Sequence, residues 1–214
     1  MKRTFAKYLV GLAFTTAASP VFADDPDGPQ DRERIVAAGF ELLLDTIDVV
    51  PESREAFEAA YPGARERLIA AARDHQRTTW QRVRAISMLS YFPDAATRQT
   101  LETLATSPDT KLPLDERLRH PSADTEVRRQ ALYTLGRAFG PTADAGLVRF
   151  IEARISADEK QEVREHGLRS LRWVDHEETR AALTRLAGKG GLEALAKETQ
   201  LRRDKRLASP RLGH

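Results

Sequence analysis

The sequence predicts an all-α protein, an α-solenoid of stacked antiparallel helix pairs, and three observations predict it. First, three segments overlay residue by residue: Gln81 to Leu89, Val127 to Leu135 and Val163 to Leu171. Arg82, Arg128 and Arg164 share one register, Ala85, Ala131 and Gly167 a second, and Leu89, Leu135 and Leu171 a third. Second, each segment is followed after a short break by another helical apolar pattern, in which Leu101 and Leu104 match Val148 and Ile151, then Leu183 and Leu186. Third, no stretch carries the two-residue alternation of a strand. A helix pair recurring every roughly 35–45 residues cannot bury its own apolar face and must stack on neighbours. Architectures of this kind are used overwhelmingly to hold other molecules.

The elements follow in order. Lys2, Arg3 and Lys7 precede an 11-residue apolar run from Tyr8 to Ala18, and Val21-Phe22-Ala23 ends the segment with small residues where a signal peptidase reads. This is the pattern of a secretory signal peptide over residues 1–23, removed after Ala23. A membrane span needs about 20 apolar residues, so the segment predicts export to the periplasm or the extracellular space, with no transmembrane segment. Residues 24–30, with Pro26, Gly28 and Pro29, form a polar, breaker-rich leader expected to be disordered. Asp31 is placed to cap a helix running to about Asp48, with Ile35, Ala38, Leu42 and Leu43 as its inner stripe. Pro51 stops that helix and is placed to start the next, and Pro62-Gly63 separates short helical patterns at 52–61 and 64–74. Residues 31–77 match the repeat poorly, as expected of N-terminal capping helices with a polar outer face.

The three regular units occupy residues 78–188, pairing 78–91 with 94–105, 125–139 with 143–154, and 160–173 with 176–187. The first spacing, from Ala85 to Ala131, exceeds the second, from Ala131 to Gly167, and the surplus lies in an inserted loop at 107–124 containing Pro108, Pro113 and Pro121. That loop is either a binding flap or slack. Gly188 to Gly191 breaks the chain before a last helix near 192–207 that closes the stack.

Charge excludes some classes of function. The chain has 34 Lys and Arg against 32 Asp and Glu, and without the signal segment 31 against 32. A general duplex-binding protein needs a basic surplus to neutralise phosphates, so no nucleic-acid partner is expected. Residues 189–214 carry seven bases and three acids, which marks either a contact with an anionic surface or a solvated terminus. With no cysteine, disulfides, thiolate metal sites and cysteine nucleophiles are excluded, and the fold rests on core burial.

The repeat resembles the HEAT class in its short bacterial form, that of phycobilisome-lyase-like proteins. The run Val127-Arg128-x-x-Ala131-Leu132-x-x-Leu135-Gly136 and its two relatives carry the likeness, which covers residues 78–188 and extends loosely over 31–74. The resemblance implies that the helices beginning Val-Arg line a concave face and that an acid before each pairs with its arginine in a ladder. Asp124 with Arg128, and Asp158 with Arg164, fit that pattern; Asp74 and Arg82 are more widely spaced. Deoxyhypusine hydroxylase shares this helix layout but needs several His-Glu pairs to hold iron, and here the only one is His176-Glu177. The bilin lyases act inside the cell, whereas this chain reads as exported.

No other chemistry is legible. His75, His120, His166, His176 and His214 have none of the spacings that bind metal and read as isolated surface residues, with His176 exposed at a helix start. Gly188-Lys189-Gly190-Gly191 lacks the strand and the Ser/Thr of a phosphate loop. No catalytic residue, metal or cofactor is assigned. On the helical wheel, the face opposite Ala131 and Leu135 carries Arg129, Tyr133 and Arg137, and the equivalent ridges bring Tyr91, Arg169 and Trp173. Aromatic residues and arginines on an inner surface make the composition of a binding hot spot. Tyr91 and Trp173, near helix ends, could instead fill grooves between repeats. The expected function is therefore an exported, non-catalytic scaffold or adaptor that holds a protein or peptide on its concave face. The alternatives are an envelope-associated factor that sets its basic C-terminal segment on anionic lipid or polymer, and an accessory subunit of an exported enzyme complex.

Overall fold

The computed structural model describes residues 29–47, 49–108, 123–158 and 160–209. The expectations for the signal segment, for residues 24–28, for 109–122 and for 210–214 lie outside the described residues. Within them all regular structure is helical: α1 Pro29–Asp45, α2 Arg54–Ala60, α3 Ala64–Arg73, α4 Thr79–Met88, α5 Ala95–Thr106, α6 Ala123–Phe139, α7 Ala145–Ala157, α8 Gln161–Ser170, α9 Glu178–Ala187 and α10 Glu193–Ala208. Helices α4, α6 and α8 each tighten into, or are followed at once by, one 3-10 turn, at Leu89–Tyr91, Gly140–Thr142 and Leu171–Trp173. Such turns are common where an α-helix ends.

The packing is helix on helix throughout. Helix α4 lies on α6, α6 on α8 and α8 on α10, while α3 contacts α5, α7 contacts α9, and each of α3, α5 and α7 also packs on the α4, α6 or α8 that follows it. One continuous core joins them, from Phe40, Leu43 and Leu44 in α1 to Leu192 and Ala196 at the start of α10. The repeat positions Ala85, Ala131 and Gly167, and the leucines 89, 135 and 171, are all in it or fully buried beside it. No helix among the described residues is long and apolar enough to cross a membrane.

Helix ends are closed by a recurring device. Asp94 and Asp144 cap α5 and α7, accepting from the Thr97 and Leu147 amides at 2.9 and 2.7 Å. Each also accepts an arginine from the helix before: Arg65 of α3 at 2.7 Å and Arg98 of α5 at 2.8 Å. A carboxylate at a helix N-terminus satisfies orphan N–H groups and the helix dipole together. Arginines also meet backbone carbonyls at the last turn of a helix or in the chain just beyond it. Arg82 donates to Ala72 O at 3.2 Å, Arg128 to Ser107 O at 3.3 Å, Arg164 to Gly190 O at 3.0 Å and Arg203 to Val174 O at 2.8 Å.

Several expectations are corrected. Asp158, ahead of α8, binds Arg128 of α6 at 3.0 Å and not Arg164 of its own helix, while Arg82 feels the charges of both Asp124 and Asp74. The reason is geometric, since an acid ahead of one helix lies beside the side chain that the neighbouring helix projects across the layer. Asp31 lies inside α1, which begins at Pro29, and α2 starts at Arg54 with Ser53 as its cap. The inner stripe of α1 is Phe40, Leu43 and Leu44; Ile35, Ala38 and Leu42 face outward, so α1 does not present the polar outer face of a cap. His176 is half-buried, its Nδ1 accepting the Glu178 amide at 3.2 Å as α9 begins. The basic segment after Gly188 is no loose end over its described length. Arg203 of α10 is buried, Arg206 pairs with Asp175, and Arg202 and Lys197 pair within the helix.

Candidate functional site

The candidate surface is where α6 and α8 approach most closely, and two glycines set that distance. A Cβ on Gly136 would lie 2.5 Å from the Ser170 carbonyl oxygen, and one on Gly140 would strike the backbone of Trp173. The Gly140 carbonyl then accepts the Asp175 amide at 2.9 Å. With no side chain between the two backbones, the last turns of α6 are clamped against the 3-10 turn that follows α8.

That clamp brings Tyr133 and Arg172 together, 39 residues apart in the chain. Arg172 Nη2 donates to the Tyr133 hydroxyl at 2.7 Å, and its guanidinium carbon lies 5.7 Å from the Tyr133 ring centroid and 4.7 Å from that of Trp173. A guanidinium within about 6 Å of an aromatic centroid is held by the ring quadrupole. Arg206, reaching across from α10, sits 6.0 Å from the same indole, donates to the Arg172 carbonyl at 3.0 Å and pairs with Asp175. Farther along the helices, Arg129 pairs with Glu126, and Arg169 with Glu165 at 3.2 Å. His166 lies in the field of both arginines. Burial first, then the Arg129 charge, with Arg169 adding to it, pushes its imidazole below the ordinary value, against an opposing hydrogen bond to the Glu162 carbonyl.

The six residues singled out from the sequence are thus not one ridge. Arg129 and Tyr133 of α6 lie near His166, Arg169 and Arg172 of the α8 side, and Arg137, four residues on from Tyr133, is exposed in the last turn of α6. Tyr91 is a correction: its hydroxyl donates to Pro51 O at 2.7 Å and its ring stands edge-on to Phe57 at 5.8 Å, so it fills a groove against the N-terminal helices. Trp173 is half-buried beneath Arg172 and Arg206, and contributes a platform more than a free ring. Arg172, Arg206 and His166 were missed. Arg172 follows the repeat's last leucine directly, which a repeat-based reading treats as a helix end, and nothing local marks Arg206.

The surface is donor-rich. Arg129, Arg169 and Arg206 each hold a carboxylate, whereas Arg172 has an aromatic hydroxyl and Arg137, exposed in the last turn of α6, has no ion pair among the described residues. Arg129 Nε, Arg172 Nε and Trp173 Nε1 are buried N–H groups without an acceptor among them. A second, smaller cleft of about 180 Å³ lies at the start of the inserted loop, where Ser107 and Pro108 meet Arg128, Arg154, Asp158 and Lys160. Compared with protein-family models, with curated proteins and with solved structures, the chain matches none.

Proposed function

We propose that this chain is an exported HEAT-type α-solenoid that works as a non-catalytic scaffold, holding an acidic protein or peptide segment along the α6–α8 surface. The observation that carries the proposal is the unmet donor capacity there. Among the described residues, Arg137 and Arg172 hold no carboxylate. A segment bearing carboxylates supplies acceptors in the bidentate geometry that guanidinium groups favour. Tyr133 and Trp173 add apolar area already ordered by Arg172, so little side-chain freedom is lost on binding. The order in which α4, α6, α8 and α10 pack supports the solenoid reading, and the segment Met1 to Ala23 supports export.

The test is affinity capture from the cell envelope fraction, identification of the co-purifying chain, and calorimetric titration of that chain against variants. Arg137→Ala is the clean probe because the side chain is exposed and makes no ion pair within the described fold. Unchanged affinity in Arg137→Ala and Arg172→Ala together would move the site to another surface.

A further inference from the structure

Helix α1 is apolar on two opposite faces. Phe40, Leu43 and Leu44 enter the core, yet Ile35 and Leu42 are 68% and 62% exposed, with Ala38 exposed between them. At about 100° per residue the two stripes stand on opposite sides of the helix. The outer stripe continues past the helix end into Ile47, Val49 and Val50, all exposed. These five are most of the exposed large apolar side chains among the described residues. A helix at the end of a packed row needs one apolar face only, and a second of this extent marks a contact surface. The far end of the row differs: the exposed side of α10 carries Glu193, Lys197, Glu198, Arg202 and Lys205 around Leu201.

We propose that the outer face of α1 is the dimer interface of this protein, occupied by α1 of a second copy in antiparallel, two-fold orientation. The edge of the stripe supplies the argument. Arg34, Ala38, Glu41 and Asp45 follow one another at helical spacing along that edge, with the base at one end and the acids at the other. In an antiparallel pair each edge faces the same edge of the other copy, so Arg34 of each chain comes opposite Glu41 and Asp45 of its mate. A parallel pair would set the acids against the level of Gly39 and Thr46 instead, where there is no base. A two-fold contact uses the same patch twice and closes at two copies. Glu41 and Asp45 are themselves oriented by the fold, through Arg77 at 2.7 Å and Gln81 at 2.8 Å, so the acidic end is held in place before a partner arrives.

Sedimentation equilibrium of the purified chain, from micromolar to submillimolar concentration, tests this. The expected result is a monomer–dimer equilibrium that stops at two copies. Ile35→Glu with Leu42→Glu should weaken it by roughly tenfold or more, with helix content unchanged by circular dichroism because both side chains are already exposed. Arg34→Asp should weaken the dimer, and Arg34→Asp with Asp45→Arg should restore it. A monomer throughout the range, a dimer indifferent to the double glutamate variant, or a charge swap that fails to restore would each overturn the proposal. Open-ended growth would also overturn it, placing α1 instead on the apolar groove of about 400 Å³ between α9 and α10, where Leu183, Ala187, Ala196 and Leu201 meet.

Discussion

Arg172, in the turn after α8, donates a 2.7 Å hydrogen bond to the hydroxyl of Tyr133 in α6. The contact exists because Gly136 and Gly140 let the backbones of α6 and the turn after α8 approach without an intervening side chain. Sequence positions that matter for packing thus determine how the surface side chains of α6 and α8 meet.

That dependence is open to test. Gly136→Ala should destabilise the chain by about 1–3 kcal/mol, the usual range for overpacking, because its Cβ meets a backbone oxygen at 2.5 Å rather than a side chain that can turn away. Urea denaturation measures the loss. Fluorescence of Trp173, compared in a Trp80→Phe background, reports whether the Arg172 stack loosens with it. A neutral Gly136→Ala would mean that α6 and α8 are less closely clamped than described.

Leu135→Ala should cost about 2–5 kcal/mol, since Leu135 is fully buried in the core of α6. Arg128→Ala should cost about 3–5 kcal/mol, because it strands Asp158, whose side chain is 4% exposed. Chemical denaturation of the two variants and of Arg128→Ala/Asp158→Asn checks both. The double variant should recover part of the loss, and if it does not, the pair is not the unit that the 3.0 Å contact implies.

Much of the fold is legible in the sequence, and the reasons it stops being so are physical. The register of Arg82, Arg128 and Arg164 with their alanine or glycine and leucine partners reports burial, which repeats because the packing environment repeats. The acid–arginine pairing is shifted by one helix because an ion pair runs between neighbours in space, and Asp158 is closer to Arg128 than chain order suggests. The stripe of α1 was misassigned for a different reason. A helix apolar on two sides offers two equally good stripes, and only contacts with the rest of the fold, α4 and Tyr61 among them, decide that Phe40, Leu43 and Leu44 are inside. Of the candidate site, Arg129, Tyr133 and Arg169 could be placed from the wheel; Arg172 and Arg206 could not, because they enter through a turn and through the last helix.

Acid should loosen the Arg98–Asp144 tie between α5 and α7. The Asp144 carboxyl is held down at about 2, against its ordinary 3.8, chiefly by the Arg98 guanidinium and then by the Leu147 amide. A carboxylate depressed on folding stabilises the folded chain above its unfolded value and loses that contribution as pH falls through the folded one. The urea midpoint should therefore be flat above about pH 4 and decline from there toward about pH 2. Asp144→Asn, which keeps a capping oxygen but loses the charge, should show a shallower decline; an identical slope would remove Asp144 from the account.

His166 offers an internal reporter of binding. Its imidazole is held below the ordinary value by burial and by Arg129 and Arg169, so an acidic segment that offsets those charges must raise it. By linkage, binding then takes up a proton and tightens as pH falls through the His166 titration. Proton NMR of the ring, with and without the captured partner, should show the titration moving upward. A downward movement, or none, would mean that the bound segment does not bring negative charge to this face.

The account rests on the α6–α8 surface, and calorimetric titration of the captured partner against Arg137→Ala and Arg180→Ala tests it most directly. Both arginines are exposed, but Arg180 lies on α9 and is paired with Asp204. Arg137→Ala should weaken binding by about 1–2 kcal/mol while Arg180→Ala leaves it unchanged. Equal effects from the two, or a larger loss from Arg180→Ala, would contradict the placement of the site on α6 and α8.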